Sequence, residues 1–319
     1  MELRWPGVPA GRPHYESVYC TLVHPSEPRA LWIRTTVRKR PTESATGALW
    51  VTWFDAAGVR AGKVDDLAVA PGGHGIRCGP ATQGPGGSRG ELHLETLDAT
   101  WDLTFVARAD PLDHLSPALL YRAPLPRTKA TSPLPDLLVA GTLAVDGAPV
   151  DLTGWTGMLG HNWGTEHAAR WVWLRVCGLG EGATGWLDVI LGRVRVGPVL
   201  TPWTAFGMLD LDGEQYRLGG LGNRGTRVTV RPTGADIVLT GSGVRVLTRA
   251  TVALASTVGW EYADPTGGRH EVVNSSVAAM VLEVRQRGST RTLRPERRGV
   301  LELGADGRAL DVPLQAYPD

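Results

Sequence analysis

Residues 141–154 read GTLAVDGAPVDLTG, two alternating runs around Asp146-Gly147. Alternation of period two sends successive side chains to opposite faces of a strand. Asp-Gly suits a type I′ turn, whose two central residues both need positive φ. The stretch therefore predicts a β-hairpin. The same pattern extends outward. RALWIRTTV at 29–37, GALWVTWFD at 47–55, ELHLETL at 91–97 and TWDLTFVAR at 100–108 all alternate or nearly so. RVTVRP, ADIVLTG, VRVLTRATVAL and AAMVLEVRQR come later, and further Asp-Gly pairs stand at 212–213 and 306–307.

The chain has 319 residues, with 41 glycines and 23 prolines spread throughout, so few windows long enough for a helix lack a breaker. Roughly sixteen to twenty short strands are expected, an all-β fold. One small barrel cannot use that many; two antiparallel β-barrels of about eight to ten strands each can. Short helices are expected only around 113–121 and 164–170. The boundary is placed near residue 168, giving an N-terminal barrel at 1–168 and a C-terminal barrel at 169–319.

Hydrophobic residues make up 42% and charged residues 20%, enough for a sizeable core. A net charge of +1 argues against a nucleic-acid or anionic-membrane partner. The basic runs RTTVRKR at 34–40 and RPERR at 294–298 read as solvated strand ends and turns. Cys20, Cys78 and Cys177 are widely spaced, with no CxxC, so neither a disulfide framework nor a thiolate metal site is expected. No apolar run is long enough to span a membrane, no signal-peptide core is visible, and a cytoplasmic location is expected. Two motif matches are set aside. GGSRG at 86–90 lacks the strand-to-helix context of a nucleophile elbow, and GLGNRG at 220–225 lacks the helix of a dinucleotide fingerprint.

Chemistry concentrates in GMLGHNWGTEHAARWVW at 157–173. His161, Glu166 and His167 form a possible N/O ligand set, but HExxH spacing is absent and Gly164 weakens a helix that would align them. No metal and no cofactor are expected. As a polar pocket, the window offers His161 for proton exchange, Asn162 to donate and accept, and Trp163, Trp171 and Trp173 as apolar walls with cation-stabilising faces. The alternative is that these tryptophans fill a barrel core while His161 and Asn162 satisfy a closing turn. WVWLRVC at 171–177 and WLDVILGRV at 186–194 flank a glycine-rich loop. If 177 pairs with 186, Arg175 faces Asp188 and Trp173 faces Ile190. Trp171, Trp173, Arg175 and Cys177 then share one face, and Val172, Leu174 and Val176 the other. Two readings of Arg175 and Asp188 stand: a buried structural bridge, or an acid with a ligand anchor.

GTLAVDG, GWTGMLGHNWG and WVWLRV in succession resemble the hydroxyneurosporene synthase (carotenoid hydratase) family and its lipocalin-like relatives. Asn-Trp-Gly followed by Trp-x-Trp is also similar to tocopherol cyclase. GWEYADPTGGRHEVVNSSVAAMVLEV resembles the final strands of the same group. The resemblance spans about residues 140–285. It implies two consecutive lipocalin-like β-barrels that bind a large apolar molecule, with cofactor-free hydration, cyclisation or pericyclic closure as the chemistry. In the hydratases a Tyr-x-Asp precedes His-Asn-Trp-Gly, and its aspartate is the suggested proton donor. Here those positions are Met158, Leu159 and Gly160. His161 is the nearest remaining acid, with Glu166 and Asp188 behind it. The expected function is a cofactor-independent lyase or isomerase on a terpenoid- or polyketide-like molecule. In it His161, Asp188 and Glu166 do the chemistry, and Asn162, Trp163, Trp171, Trp173 and Arg175 bind. The alternative is a non-catalytic carrier of an apolar ligand.

Overall fold

The computed structural model describes residues 1–315 except 74, 181, 296–298 and 306–310. It is all-β, with three-residue to four-residue 3₁₀ turns at Trp5–Gly7, Ala118–Tyr121 and Leu254–Ser256. The opening hairpin forms at its predicted turn, with a second arm of only Ala148–Pro149. Val145 pairs with Ala148, and Asp146 and Gly147 take φ of 49° and 75°, both in the left-handed region. Asp212-Gly213 repeats this geometry, whereas Asp306-Gly307 and most of RPERR lie outside the described residues. No helix is described over 164–170. The His167 backbone N–H donates instead to the Asp264 side chain, 2.9 Å away, which holds the segment in an irregular bend.

Two large sheets form. The first runs from His14–Val23 to Thr156–Gly164, strands that pair with each other. Its two edge strands, Gly58–Leu67 and Val69–Gly72, are consecutive in the chain, so the sheet curls round on itself. The second sheet closes. Arg170–Cys177, Gly185–Arg193, Thr204–Leu211, Glu214–Gly219, Gly234–Gly241, Val244–Thr251, Arg269–Gln286 and Gly299–Ala305 form a ring, completed by the pairing of Leu218 with Gly241.

The strand pattern decides what lies inside each barrel. Cys177 pairs with Trp186, Arg175 with Asp188 and Trp173 with Ile190, the register the sequence suggests. Val172, Leu174 and Val176 join the core inside the second barrel. Val18, Cys20, Leu31 and Ile33 fill the first. The alternate residues are buried too, because the outer faces of the barrels meet. Trp32, Trp50 and Phe54 of the first sheet pack with Cys177, Trp260 and Tyr262 of the second. Tyr19 and Met158 pack with Trp173 and Val300. Burial on both faces explains why both sets of residues in WVWLRVC are apolar except for Arg175. Among the described residues, no helix is long and apolar enough to cross a membrane.

Candidate functional site

A cavity of about 430 Å³ opens at this junction, lined by residues of both sheets. That volume suits a small-molecule ligand. Tyr19, Trp32 and Arg34 line it from the first sheet; Trp171, Trp173, Ile190, Phe206, Tyr262 and Glu302 line it from the second. Leu115, Leu120, Leu125 and Pro126, on the segment before Thr128–Val145, cover a third side. Leu221, 60% exposed, marks the rim. The walls are mainly aromatic and aliphatic, with a few polar groups set among them.

His167 is the central polar group. Its ring stacks on Tyr15, centroids 4.2 Å apart, and on Trp171 at 5.6 Å. Its Nδ1–H donates to Asp264 Oδ1 at 2.6 Å. His270 Nε2–H donates to the other oxygen of Asp264 at 2.9 Å. Burial pushes the His167 pKa down to about 4 against the pull of Asp264, so the imidazole is neutral at pH 7. Burial would raise the Asp264 carboxyl, but hydrogen bonds from His167 and His270 outweigh it and hold the group well below the carboxylate range. With Nδ1 carrying the proton, Nε2 of His167 keeps its lone pair, and it has no partner among the described residues.

Glu302 and Arg34 supply the cavity's charges. Glu302 accepts from Trp171 Nε1 at 2.9 Å, the Tyr262 hydroxyl at 3.0 Å and Asn274 Nδ2 at 3.3 Å. Arg34 donates from Nε to Ser17 Oγ at 2.8 Å, and its guanidinium lies 3.9 Å from the Tyr262 ring centre. Only 4% of Arg34 is exposed, so this member of RTTVRKR is not a solvated strand end. Strand alternation turns it away from the first core, which holds its neighbour Ile33, and into the junction.

Of the residues singled out in the sequence, Asn162, Trp171 and Trp173 line the cavity, and Asn162 Oδ1 is buried without a partner among the described residues. His161, Trp163, Glu166, Arg175 and Asp188 do not line it. His161 Nε2–H donates to Glu16 Oε1 at 2.7 Å. That carboxylate also accepts from the backbone N–H groups of Arg4 and Trp5, tying the N-terminal segment down. Burial would raise the Glu16 carboxyl, but His14 Nε2 at 3.6 Å and the donors His161 and Arg4 lower it to about 2. Trp163 lies under the Arg4 guanidinium and against the His161 ring. Glu166 ion-pairs with Arg127.

Asp188 is fully buried and accepts from Trp173 Nε1 at 2.9 Å and the Ser132 hydroxyl at 2.6 Å, with His114 Nε2 at 3.5 Å. Burial would raise its carboxyl, but His114, the Arg175 charge and the Ser132 hydroxyl hold it below the usual range. Arg175 is its cross-strand neighbour, but no direct ion pair closes between them among the described residues. Arg175 Nη2 donates to the Gly157 carbonyl at 3.2 Å instead.

The metal-ligand set considered from sequence does not assemble, since His161 and Glu166 are engaged elsewhere. A different one does: His167, Asp264 and His270 offer ligand atoms all within 4.8 Å of one another. Here Asp264 sits between the imidazoles and takes an N–H from each. Asp264, His270, Tyr262, Arg34 and Glu302 escape a sequence reading centred on 157–173. A signal for two of them exists in YADPTGGRH at 262–270. It is a hairpin in which Tyr262 pairs with His270, and Asp264 stands where the turn begins.

No family model matches the chain. Two uncharacterized Mycobacterium tuberculosis proteins, from strains CDC 1551 and H37Rv, are each 27% identical to it over 295 residues, 88% of this chain and 83% of theirs. Among solved structures, an AttH protein of Nitrosomonas europaea aligns with a TM-score of 0.55 at 14% identity, over 93% of both chains. CghA aligns with a TM-score of 0.56 at 13% identity, over 93% of this chain and 90% of that one. Kievitone hydratase of Nectria haematococca aligns at 0.49 and 13% identity, over 92% of this chain and 88% of that one. Together with the closed and curled sheets described above, the first two alignments show that the chain carries the lipocalin-like two-barrel fold.

Proposed function

We propose that the protein is a cofactor-independent lyase or isomerase acting on an apolar, terpenoid- or polyketide-like molecule held between the barrels. One observation carries this reading: a neutral imidazole with an unpartnered Nε2, oriented by a buried carboxylate, lines a tryptophan-walled cavity. His167 Nε2 takes a proton from the substrate and returns it at another position or to a departing oxygen, so the cycle is proton-neutral. Asp264 stabilises the imidazolium formed in between, as do the faces of Tyr15 and Trp171 stacked on its ring. His161, Glu166 and Asp188 act through structure in this reading. The first ties the N-terminal segment to its sheet through Glu16, and Asp188 fixes the Trp173 wall.

The test is incubation of the full chain with polyprenyl and polyene precursors, followed by liquid chromatography and mass spectrometry. Expected is a product of unchanged mass, or one differing by a single water, formed equally after dialysis against a chelator. Activity that is lost with the chelator and restored by a divalent metal would instead give the His167–Asp264–His270 group to an ion. A second reading, a carrier without chemistry, is favoured by Gly160, which provides no carboxylate and lies under the Tyr19 ring. Recovery of every precursor bound and unaltered would establish that reading.

A further inference from the structure

We infer that Arg34 is an anion-binding site inside the cavity, and that the natural ligand is an amphiphile whose apolar body ends in a carboxylate or an equally acidic enol. The inference rests on the cavity reading above and names the class of molecule it takes. Arg34 is more than nine-tenths buried, and among the described residues it forms no ion pair. Its Nε–H is used by Ser17, while Nη1 and Nη2 have no acceptor among the described residues. A guanidinium cannot shed its charge, and a buried cation without a counter-charge is strongly unfavourable.

The other groups lining the cavity do not relieve it. Glu302 is the single carboxylate in the lining among the described residues, and its oxygens already accept from Trp171, Tyr262 and Asn274. Tyr262 bridges the two charges, its hydroxyl donating to Glu302 and its ring face stacked under Arg34. Trp50 adds a second aromatic face, 5.4 Å from the guanidinium. The planar cation is thereby fixed in orientation, with two N–H-bearing nitrogens left over. Such a fork matches two oxygens sharing one negative charge, as in a carboxylate or a β-dicarbonyl enolate. The surrounding wall of Trp32, Trp171, Trp173, Ile190 and Phe206 suits the apolar remainder.

The test uses cis-parinaric acid and its methyl ester, titrated into the full chain and read by energy transfer from tryptophan. Expected is acid binding tighter than ester binding by about tenfold or more, the effect of a charge-assisted pair. Arg34→Met should abolish that preference by weakening the acid, and Arg34→Lys should keep part of it. Ester binding as tight as acid binding in the native protein overturns the anion site alone. Binding of neither probe overturns the cavity reading and the anion site together. The acid–ester comparison in the native chain stands even if Arg34→Met does not fold.

Discussion

His167 Nδ1 lies 2.6 Å from Asp264 Oδ1, joining the bend between the two sheets to the turn of a hairpin 97 residues later. This contact fixes the tautomer and leaves Nε2, buried and without a partner among the described residues, as the free position of a ring that lines the cavity. It also ties chemistry to stability, because protonating a group that burial holds neutral costs folding free energy.

Acid should therefore weaken the fold in two steps. The His167 pKa drops from 6.5 unfolded to about 4 folded. The unfolded chain takes up that proton first, so stability declines as pH falls from about 6.5 to about 4, by roughly 3 kcal/mol. The Glu16 pKa drops from 4.5 to about 2, so its contribution is present above 4.5 and is lost as pH falls through 2. Urea midpoints at pH 7, 5 and 3 measure both. His167→Gln should flatten the upper step, and an unchanged upper step in that variant contradicts the assignment.

Asp188→Ala should be among the most damaging single changes. It strands Trp173 Nε1, removes the carboxylate opposite the Arg175 charge in a fully buried site and leaves the Ser132 hydroxyl only His114 Nε2, 3.0 Å away. A loss of about 3–5 kcal/mol is expected by denaturant unfolding. Asp188→Asn keeps one acceptor and should lose less. Near-native stability of the alanine variant would show that the network does not hold the junction.

A Cβ built at Gly160 clashes with the Tyr19 ring and falls 2.6 Å from Tyr19 Oη. Gly160→Ala must displace that ring and disturb its edge-on contact with Trp173 at 5.2 Å. Destabilisation of about 1–3 kcal/mol is expected. In a Tyr19→Ala background the same change should be nearly neutral, a coupling that a double-mutant cycle reads directly.

Gly147 sits at φ 75° in the hairpin turn, with nothing within 4 Å of a built Cβ. Gly147→Ala should then cost only the left-handed strain, about 1 kcal/mol. A thermal shift beyond a few degrees would mean that the turn does more than reverse the chain.

Strand alternation and turn chemistry are local, so the hairpins and the register across Arg175 and Asp188 are legible in the amino-acid sequence. Local signals also separate the two faces of WVWLRVC. Which face borders a ligand is not local. His161 and His167 are equally polar letters six residues apart, and only the packing of His14–Val23 against Thr156–Gly164 hands His161 to Glu16. Arg34 reads as solvated because a run of basic residues says nothing about what covers alternate members. Asp264 becomes a partner of His167 only once the second barrel closes and its outer face meets the first.

The most direct test compares the native chain with His167→Gln and Asp264→Asn, using the substrate that the product screen identifies. Turnover should fall by about 10²–10⁴-fold in His167→Gln, the usual contribution of a positioned acid–base group. Dissociation constants for unreactive cis-parinaric methyl ester should change little. Asp264→Asn should lower turnover and shift its pH profile, because the amide no longer stabilises the imidazolium. Unchanged turnover in His167→Gln, or loss of turnover only in step with loss of ligand binding, would contradict the assignment.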